Sequence, residues 1–361
     1  MLEPLYGTYL GSQILMMFMG LSWTFGGGVV ALACAGLAGY TYGLSFIIFG
    51  VVAMEGVRAR QAWSVASLLL CAYFCPRGPS DTGFKRCWFC WLSLAFLSWV
   101  TWFTKFSRSP AFMQSVHNVS FAGYFNKLEL RGALESIKKE GCLFGFHPHG
   151  VLSIGYSCIG VWGKRFHDLA GTETQWLVDK VLREDNPFFK VICELHGRVN
   201  TLNKSRLHKL MSARHNVAFV PGGFEDATAM HFKRDITMLS NRTGFIKYAL
   251  QHGYAVYPIY TFGESSTHYT FTRFLKFRLW LNKFGIPAVI VFGCPWFPLM
   301  PRKGVSVLTY VGKPVQLPRI ENPSKEEVQK WHTVYCDALR QLFEEKKLEA
   351  GLSSTSKLEI W

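Results

Sequence analysis

The chain has 361 residues, enough for one large or two ordinary domains. It is 49% hydrophobic and 17% charged, greasier than a soluble domain of about 25% charged residues, and its net charge is +15. The sequence holds no zinc finger, RNA-binding aromatic motif or Lys/Arg tail, so the basic charge argues against nucleic acid and for anionic lipid headgroups or a phosphorylated substrate.

From Pro4 to Met54 there is no Asp, Glu, Lys, Arg or His. Such a run supplies two helices of about 20 residues, the length that crosses a bilayer. It is far too long for a cleaved signal peptide, and no basic segment precedes it. A second apolar stretch, "CWFCWLSLAFLSWVTWFT" (87–104), is long enough for a span and rich in Trp, which favours the membrane interface. Residues 1–104 hold five Lys/Arg and three Asp/Glu, so most of the +15 lies in the remainder. Residues 1–105 are therefore expected to be a hydrophobic, helical membrane anchor, and 106–361 a basic domain held at the surface. Cys71, Cys75, Cys87 and Cys90 have superficially zinc-like spacing but sit in apolar segments, where small thiol side chains belong in membrane helices. The other six cysteines are scattered and read as reduced thiols.

After a polar connection, "RGALESIKKE" reads as a helix and "CLFGF" as a strand buried on both faces. "VLSIGYSCIGVW" begins like a helix, which puts His149 and Gly150 at a strand-to-helix junction. "TQWLVDKVL" reads as strand, "NPFFKVICELHG" and "SRLHKLMSARH" as helices, and "NVAFVPGG" as a buried strand ending in a glycine turn. "RTGFIKYALQHG" is a helix stopped by Gly253; "YAVYPIYTFG" and "VSVLTYVGKPVQL" are strands. "RFLKFRLWLNKFGIPAVIVFG" (273–293) mixes basic and bulky apolar residues, as an interfacial helix does; a buried helix and strand fit it equally well. The last helix spans 324–347, with Ser324 as its cap and Glu326 and Glu327 in its first turn. Strands alternating with helices imply a layered α/β domain whose ligands bind near the strand C-terminal ends.

Three stretches carry candidate chemistry. The first is "GFHPHG", residues 145–150. As a metal site it lacks a further patterned ligand. As a packed turn it has no need of two titratable rings. As acid–base chemistry it is sensible: neutral imidazole takes protons near pH 7, and the following helix start offers amides to an oxyanion. The second is "VPGGFEDA", where Gly222 and Gly223 turn tightly and Glu225 or Asp226 follows. Taken alone it is an ordinary turn. In the third, "NRTGFIKYALQHG", Arg242 and Lys247 suit CoA phosphates as well as they suit a solvated basic face.

In this order and spacing, "HPHG", "PGGFED", "RTGFIKYALQHGYAVYPIYTFGE" and "YVGKPVQLPRIENPSKEEVQKWHTVY" resemble the type-2 diacylglycerol acyltransferase family, which includes monoacylglycerol and wax-alcohol acyltransferases. The resemblance runs from about Tyr124 to Lys347. It implies an acyltransferase-like domain with a mixed sheet flanked by helices, and an integral protein of the endoplasmic reticulum or lipid droplet with a cytosolic catalytic face. It implies transfer of a fatty acyl group from acyl-CoA to a lipid hydroxyl, diacylglycerol first and monoacylglycerol or a wax alcohol as alternatives, with no cofactor beyond the CoA substrate. The family's catalytic histidine maps onto His149, with His147 in support, and its acid onto Asp226 or the adjacent Glu225. Substrate contacts are expected at Gly150, Gly222, Gly223, Arg242 and Lys247. The residue where H-x4-D acyltransferases carry their acid is Ile154, so any His–acid pair must be assembled across the fold. The rival classes are a non-catalytic lipid-binding scaffold and a metal-dependent membrane hydrolase.

Overall fold

A computed structural model describes residues 12–13, 16–17, 104–119, 121–170, 174–184, 187–283, 288–295 and 298–361. The expected anchor and the cysteine quartet lie outside these residues, apart from the few at 12–17 and 104–105. Among the described residues no helix is long and apolar enough to cross a membrane. The chain divides into two compact units, one of residues 1–20, 110–179 and 198–361 and the other of 21–109 and 180–197. In the second unit, the helix Pro187–His196 receives Ser109 N–H at its Leu195 carbonyl (2.8 Å), and Phe106 N–H reaches the Glu194 carboxylate at 2.9 Å.

The first unit is built on one sheet. Its strands in chain order are β1 (Lys127–Gly132), β2 (Cys142–His147), β3 (Gln175–Val178), β4 (Val199–Thr201), β5 (Val217–Phe219), β7 (Ala255–Phe262), β10 (Ser306–Val311) and β11 (Val315–Gln316). Two small ribbons pair β6 (Ile236–Thr237) with β12 (Glu359–Ile360) and β8 (Tyr269–Thr270) with β9 (Val291–Phe292). The spatial order in the main sheet is β1-β10-β7-β2-β5-β3-β4, with β11 beside β7. The run from β7 to β4 is parallel, and β10 enters antiparallel to β7, so the sheet is mixed as expected. Every residue of β2 and β7 is buried, which is why both read as continuous apolar runs. One face is covered by the helices Gly244–His252 and Lys325–Lys346 through Phe245, Ile246, Leu250, Tyr335, Leu339 and Phe343. On the other side, Phe144, Phe146, Tyr156, Phe166 and Trp176 pack as an aromatic cluster with ring centroids 5.3–5.9 Å apart.

The structure differs from the sequence reading at several elements. Pro110–Val119, within the polar connection, is a helix, and "TQWLVDKVL" is strand only over Gln175–Val178, with Lys180–Arg183 helical. "RGALESIKKE" is not a helix: Arg131 and Gly132 end β1, and only Leu134–Ser136 forms a 3-10 turn. Parallel pairing with β10 outweighs the helix propensity of these residues. "VSVLTYVGKPVQL" is two strands, because β7 carries Pro258, which has no N–H to give this neighbour. Phe262 to Ile259 pair with β10, Ala255 and Val256 pair with β11, and Pro258 instead accepts from Gly312 N–H at 2.8 Å. The helix after "HPHG" is a π-helix over Gly155–Val161. The C-terminal helix is as read, Lys325–Lys346 with a complete capping box between Ser324 and Glu327.

Candidate active site

β5, β2 and β7 are adjacent and parallel, so their C-terminal ends open on one edge of the sheet. β2 ends at His147 and leads to His149; β5 leads to the Gly222–Gly223 turn and the helix Gly223–Ala229; β7 leads to Glu264. The sequence places these groups far apart, and sheet topology brings them together.

His149 is partly open to solvent. Its Nδ1 lies 2.9 Å from the Gly150 carbonyl oxygen and 3.1 Å from Ser153 Oγ. A carbonyl oxygen only accepts, so Nδ1 carries the proton of the neutral ring. Nε2 then keeps its lone pair, and no described residue donates to it. Burial lowers the His149 pKa, opposed by the Gly150 carbonyl and the nearby Asp226 charge, so the ring is neutral at pH 7. Ser153 is buried and has φ of +47°, rare for a residue with a side chain. It faces the protonated ring nitrogen, which has no lone pair with which to activate it.

His147 is wholly buried and both ring nitrogens are occupied, Nδ1 by Thr237 Oγ1 (3.1 Å) and Nε2 by Tyr335 Oη (2.9 Å). Thr237 Oγ1 lies 3.3 Å from Asp226 Oδ2, and a carboxylate accepts. The donors therefore run one way: Tyr335 O–H to His147 Nε2, His147 Nδ1–H to Thr237 Oγ1, and Thr237 O–H to Asp226. The two imidazoles do not form a metal pair, because both nitrogens of one are spoken for. Among the described residues no group of three His, Cys, Asp or Glu is placed to hold a metal ion.

Burial pushes the His147 pKa down to about 3. The unfolded chain takes up that proton near pH 6.5, the folded one only near 3, so stability falls as pH drops through this window. The limiting slope is about 1.4 kcal/mol per pH unit for this one group. Thermal unfolding of His147→Gln, measured between pH 7 and 4, should show a shallower acid-side decline than the parent.

Of the two acids, Asp226 is the one that approaches His149, at its backbone amide. It is buried, and its Oδ2 accepts from His149 N–H at 2.8 Å while Oδ1 accepts from Met238 N–H at 2.8 Å. Burial raises its pKa and these donors oppose the rise. Asp226 thus fixes the backbone beneath the His149 ring; its hydrogen bond is to the main chain, not to the imidazole. Glu225 points away and pairs with Arg242 at the surface. Gly222 is needed where it stands, because a Cβ there would lie 2.4 Å from Asp226 Oδ2. Gly223 has φ of +56° and open space beside it. Lys247 is exposed on the helix Gly244–His252, and Arg242 is exposed at the loop before it.

One expected feature is filled from within. The amides of Ile154 and Gly155, at the helix start after His149, donate to Glu264 Oε1 (2.9 Å) and Oε2 (3.1 Å). Those amides are not open to an oxyanion. Glu264 is wholly buried, which pushes its pKa up to about 8 against the pull of the two amides. It also explains Gly150: at φ of +61°, an added Cβ would lie 2.4 Å from Glu264 Cγ. Thr237, Tyr335, Ser153 and Glu264 were missed in the sequence. Only Glu264 left a signal, a carboxylate two residues after a fully buried strand.

Residues 84–361 match the sequence profile of the family described as diacylglycerol acyltransferase. Human acyl-CoA wax alcohol acyltransferase 2 is 39% identical over 232 residues, 59% of this chain and 68% of that protein. Mouse acyl-CoA wax alcohol acyltransferase 1 is 29% identical over 238 residues, 61% of this chain and 70% of that protein. Diacylglycerol O-acyltransferase 2 of Xenopus laevis is 29% identical over 249 residues, 60% of this chain and 64% of that protein. No solved structure matches.

Proposed function

The chain belongs to the diacylglycerol acyltransferase family, and on that premise we propose that it moves a fatty acyl group from acyl-CoA to diacylglycerol, with His149 as the base. It is an acyltransferase that uses acyl-CoA and acts on neutral lipids; the acceptor and the residue roles are our reading. The observation that carries the reading is the Gly150 carbonyl on His149 Nδ1, which leaves Nε2 as a neutral acceptor at the open edge of the sheet. Nε2 takes the acceptor's hydroxyl proton as the oxygen attacks the thioester carbonyl. The tetrahedral adduct collapses with loss of the CoA thiolate, which receives the proton back from the imidazolium. Besides the His149 imidazole and the oxyanion donors, the step draws only on the two substrates.

With the amides of Ile154 and Gly155 engaged by Glu264, the Gly222–Gly223 turn is the place we assign to oxyanion donors. Arg242 and Lys247 would meet CoA phosphates from the surface. His147 holds the strand end in place and does not titrate in the working range. Residues 1–105 are assigned to the membrane anchor and 106–361 to the catalytic domain, in the endoplasmic reticulum or on lipid droplets with a cytosolic face. The uncharged run from Pro4 to Met54 supports that assignment.

Product analysis tests the acceptor. Membranes from cells without endogenous neutral-lipid acyltransferases, expressing the full chain, are given acyl-CoA with diacylglycerol, monoacylglycerol or a long-chain alcohol. Triacylglycerol from diacylglycerol as the main product is the expected result. A dominant wax ester or diacylglycerol product would move the assignment to the corresponding acceptor.

A further inference from the structure

Seven of the eleven large apolar side chains exposed among the described residues lie between Tyr269 and Phe292. They belong to the helix Leu275–Asn282, its approach, and the β8–β9 ribbon. Phe277 and Trp280, 58% and 48% exposed and three residues apart, share one helix face, and Phe274 just before the helix is 73% exposed. Phe277 and Trp280 stack with centroids 5.7 Å apart. Tyr269 is paired with Phe292, itself 58% exposed, across the ribbon. Arg273, Lys276 and Lys283 are exposed among these rings. The chain has no Asp or Glu between Glu264 and Glu321.

We propose that this aromatic and basic platform docks on an anionic phospholipid surface, as a membrane contact separate from the N-terminal anchor. Rings of this kind settle at the headgroup level, and lysine stems lie along apolar surface while the ammonium reaches phosphate. A stretch with cations and no carboxylate complements an anionic bilayer. A protein partner fits less well, since protein interfaces are depleted in lysine and this patch has Lys276 beside Phe277.

The platform is tied to the candidate active site. Asn282 Nδ2 donates to Thr228 Oγ1 at 2.8 Å and to the Phe224 carbonyl at 3.3 Å, both on the helix that carries Asp226. The buried Arg278 donates to the Arg273 carbonyl at 3.1 Å and to the Ala288 carbonyl at 3.4 Å, which joins the helix to its flanking segments. Docking would therefore set the height of the Asp226 helix above the lipid, the direction from which a bilayer-dissolved acceptor arrives.

The test is photo-crosslinking in the full chain, and it does not depend on activity. Phe277 or Trp280 is replaced by p-benzoylphenylalanine, as is Val334, an exposed residue on the C-terminal helix, for comparison. The proteins are placed in nanodiscs with alkyne-tailed phospholipid, with and without phosphatidylserine, and irradiated. Lipid adducts several-fold above the Val334 yield, increased by phosphatidylserine and reduced by Lys276→Glu with Lys283→Glu, are expected. Adducts to another polypeptide, adducts to residues 21–103 of the same chain, or a yield no higher than at Val334 would overturn the proposal. The two labelled positions guard against a single variant that fails to fold.

Discussion

His149→Ala is expected to lower kcat for acyl transfer by on the order of 10²–10⁴-fold, the range of a lost general base. The effect should fall on kcat, because the residue acts on a hydroxyl proton that is in motion only in the transition state. Binding of acyl-CoA should be nearly unchanged. The same account fixes the acid side of the pH profile. Burial lowers the His149 pKa, so the ring stays neutral below the usual value of about 6.5, and the acid limb of kcat/KM lies under that pH. A variant that kept parental turnover at equal expression would remove His149 from the chemistry.

The second large effect separates two neighbouring acids. Asp226→Ala removes the acceptor of three donors: His149 N–H, Met238 N–H and Thr237 O–H. A buried donor left unpaired costs about 1–3 kcal/mol, so the loss of stability is expected to be several kcal/mol before relaxation or water entry. The chain of donors back through His147 to Tyr335 would lose its end point, and the His149 loop its anchor. Glu225→Ala loses only an exposed pair with Arg242, worth about 0–1 kcal/mol. Thermal unfolding and acyl transfer, measured on both variants, should show a large double loss for Asp226 and little change for Glu225. Equal effects at the two positions would mean that the hydrogen bonds to Asp226 do not hold the loop.

The differing legibility of these features has physical reasons. β2 and β7 were plain in the sequence because a strand buried on both faces is apolar along most of its length. β1 was not, because it is half exposed and carries residues that favour helix, and its pairing with β10 lies 179 positions away. His149 was legible from its motif, and Asp226 as one of two acids. What chose Asp226 was geometry across 77 positions, to a backbone amide that sequence patterns do not display. Tyr335 reaches His147 from 188 positions away, with no local signature in the C-terminal helix. The expected free amides beside Gly150 failed for a similar reason. Glu264 arrives from the end of β7 and fills them.

Ser153 gives the central claim a sharp alternative, since a serine 3.1 Å from a histidine is also the start of an acyl-enzyme mechanism. The protonated Nδ1 argues for direct transfer, and a single-turnover experiment tests it. The full chain in membranes is mixed rapidly with radiolabelled acyl-CoA, with or without diacylglycerol, and quenched over time. Direct transfer predicts label in triacylglycerol only when the acceptor is present, with none bound to protein at any time. Protein-bound label that forms without acceptor and is chased into lipid would contradict it, as would the absence of label in any lipid product.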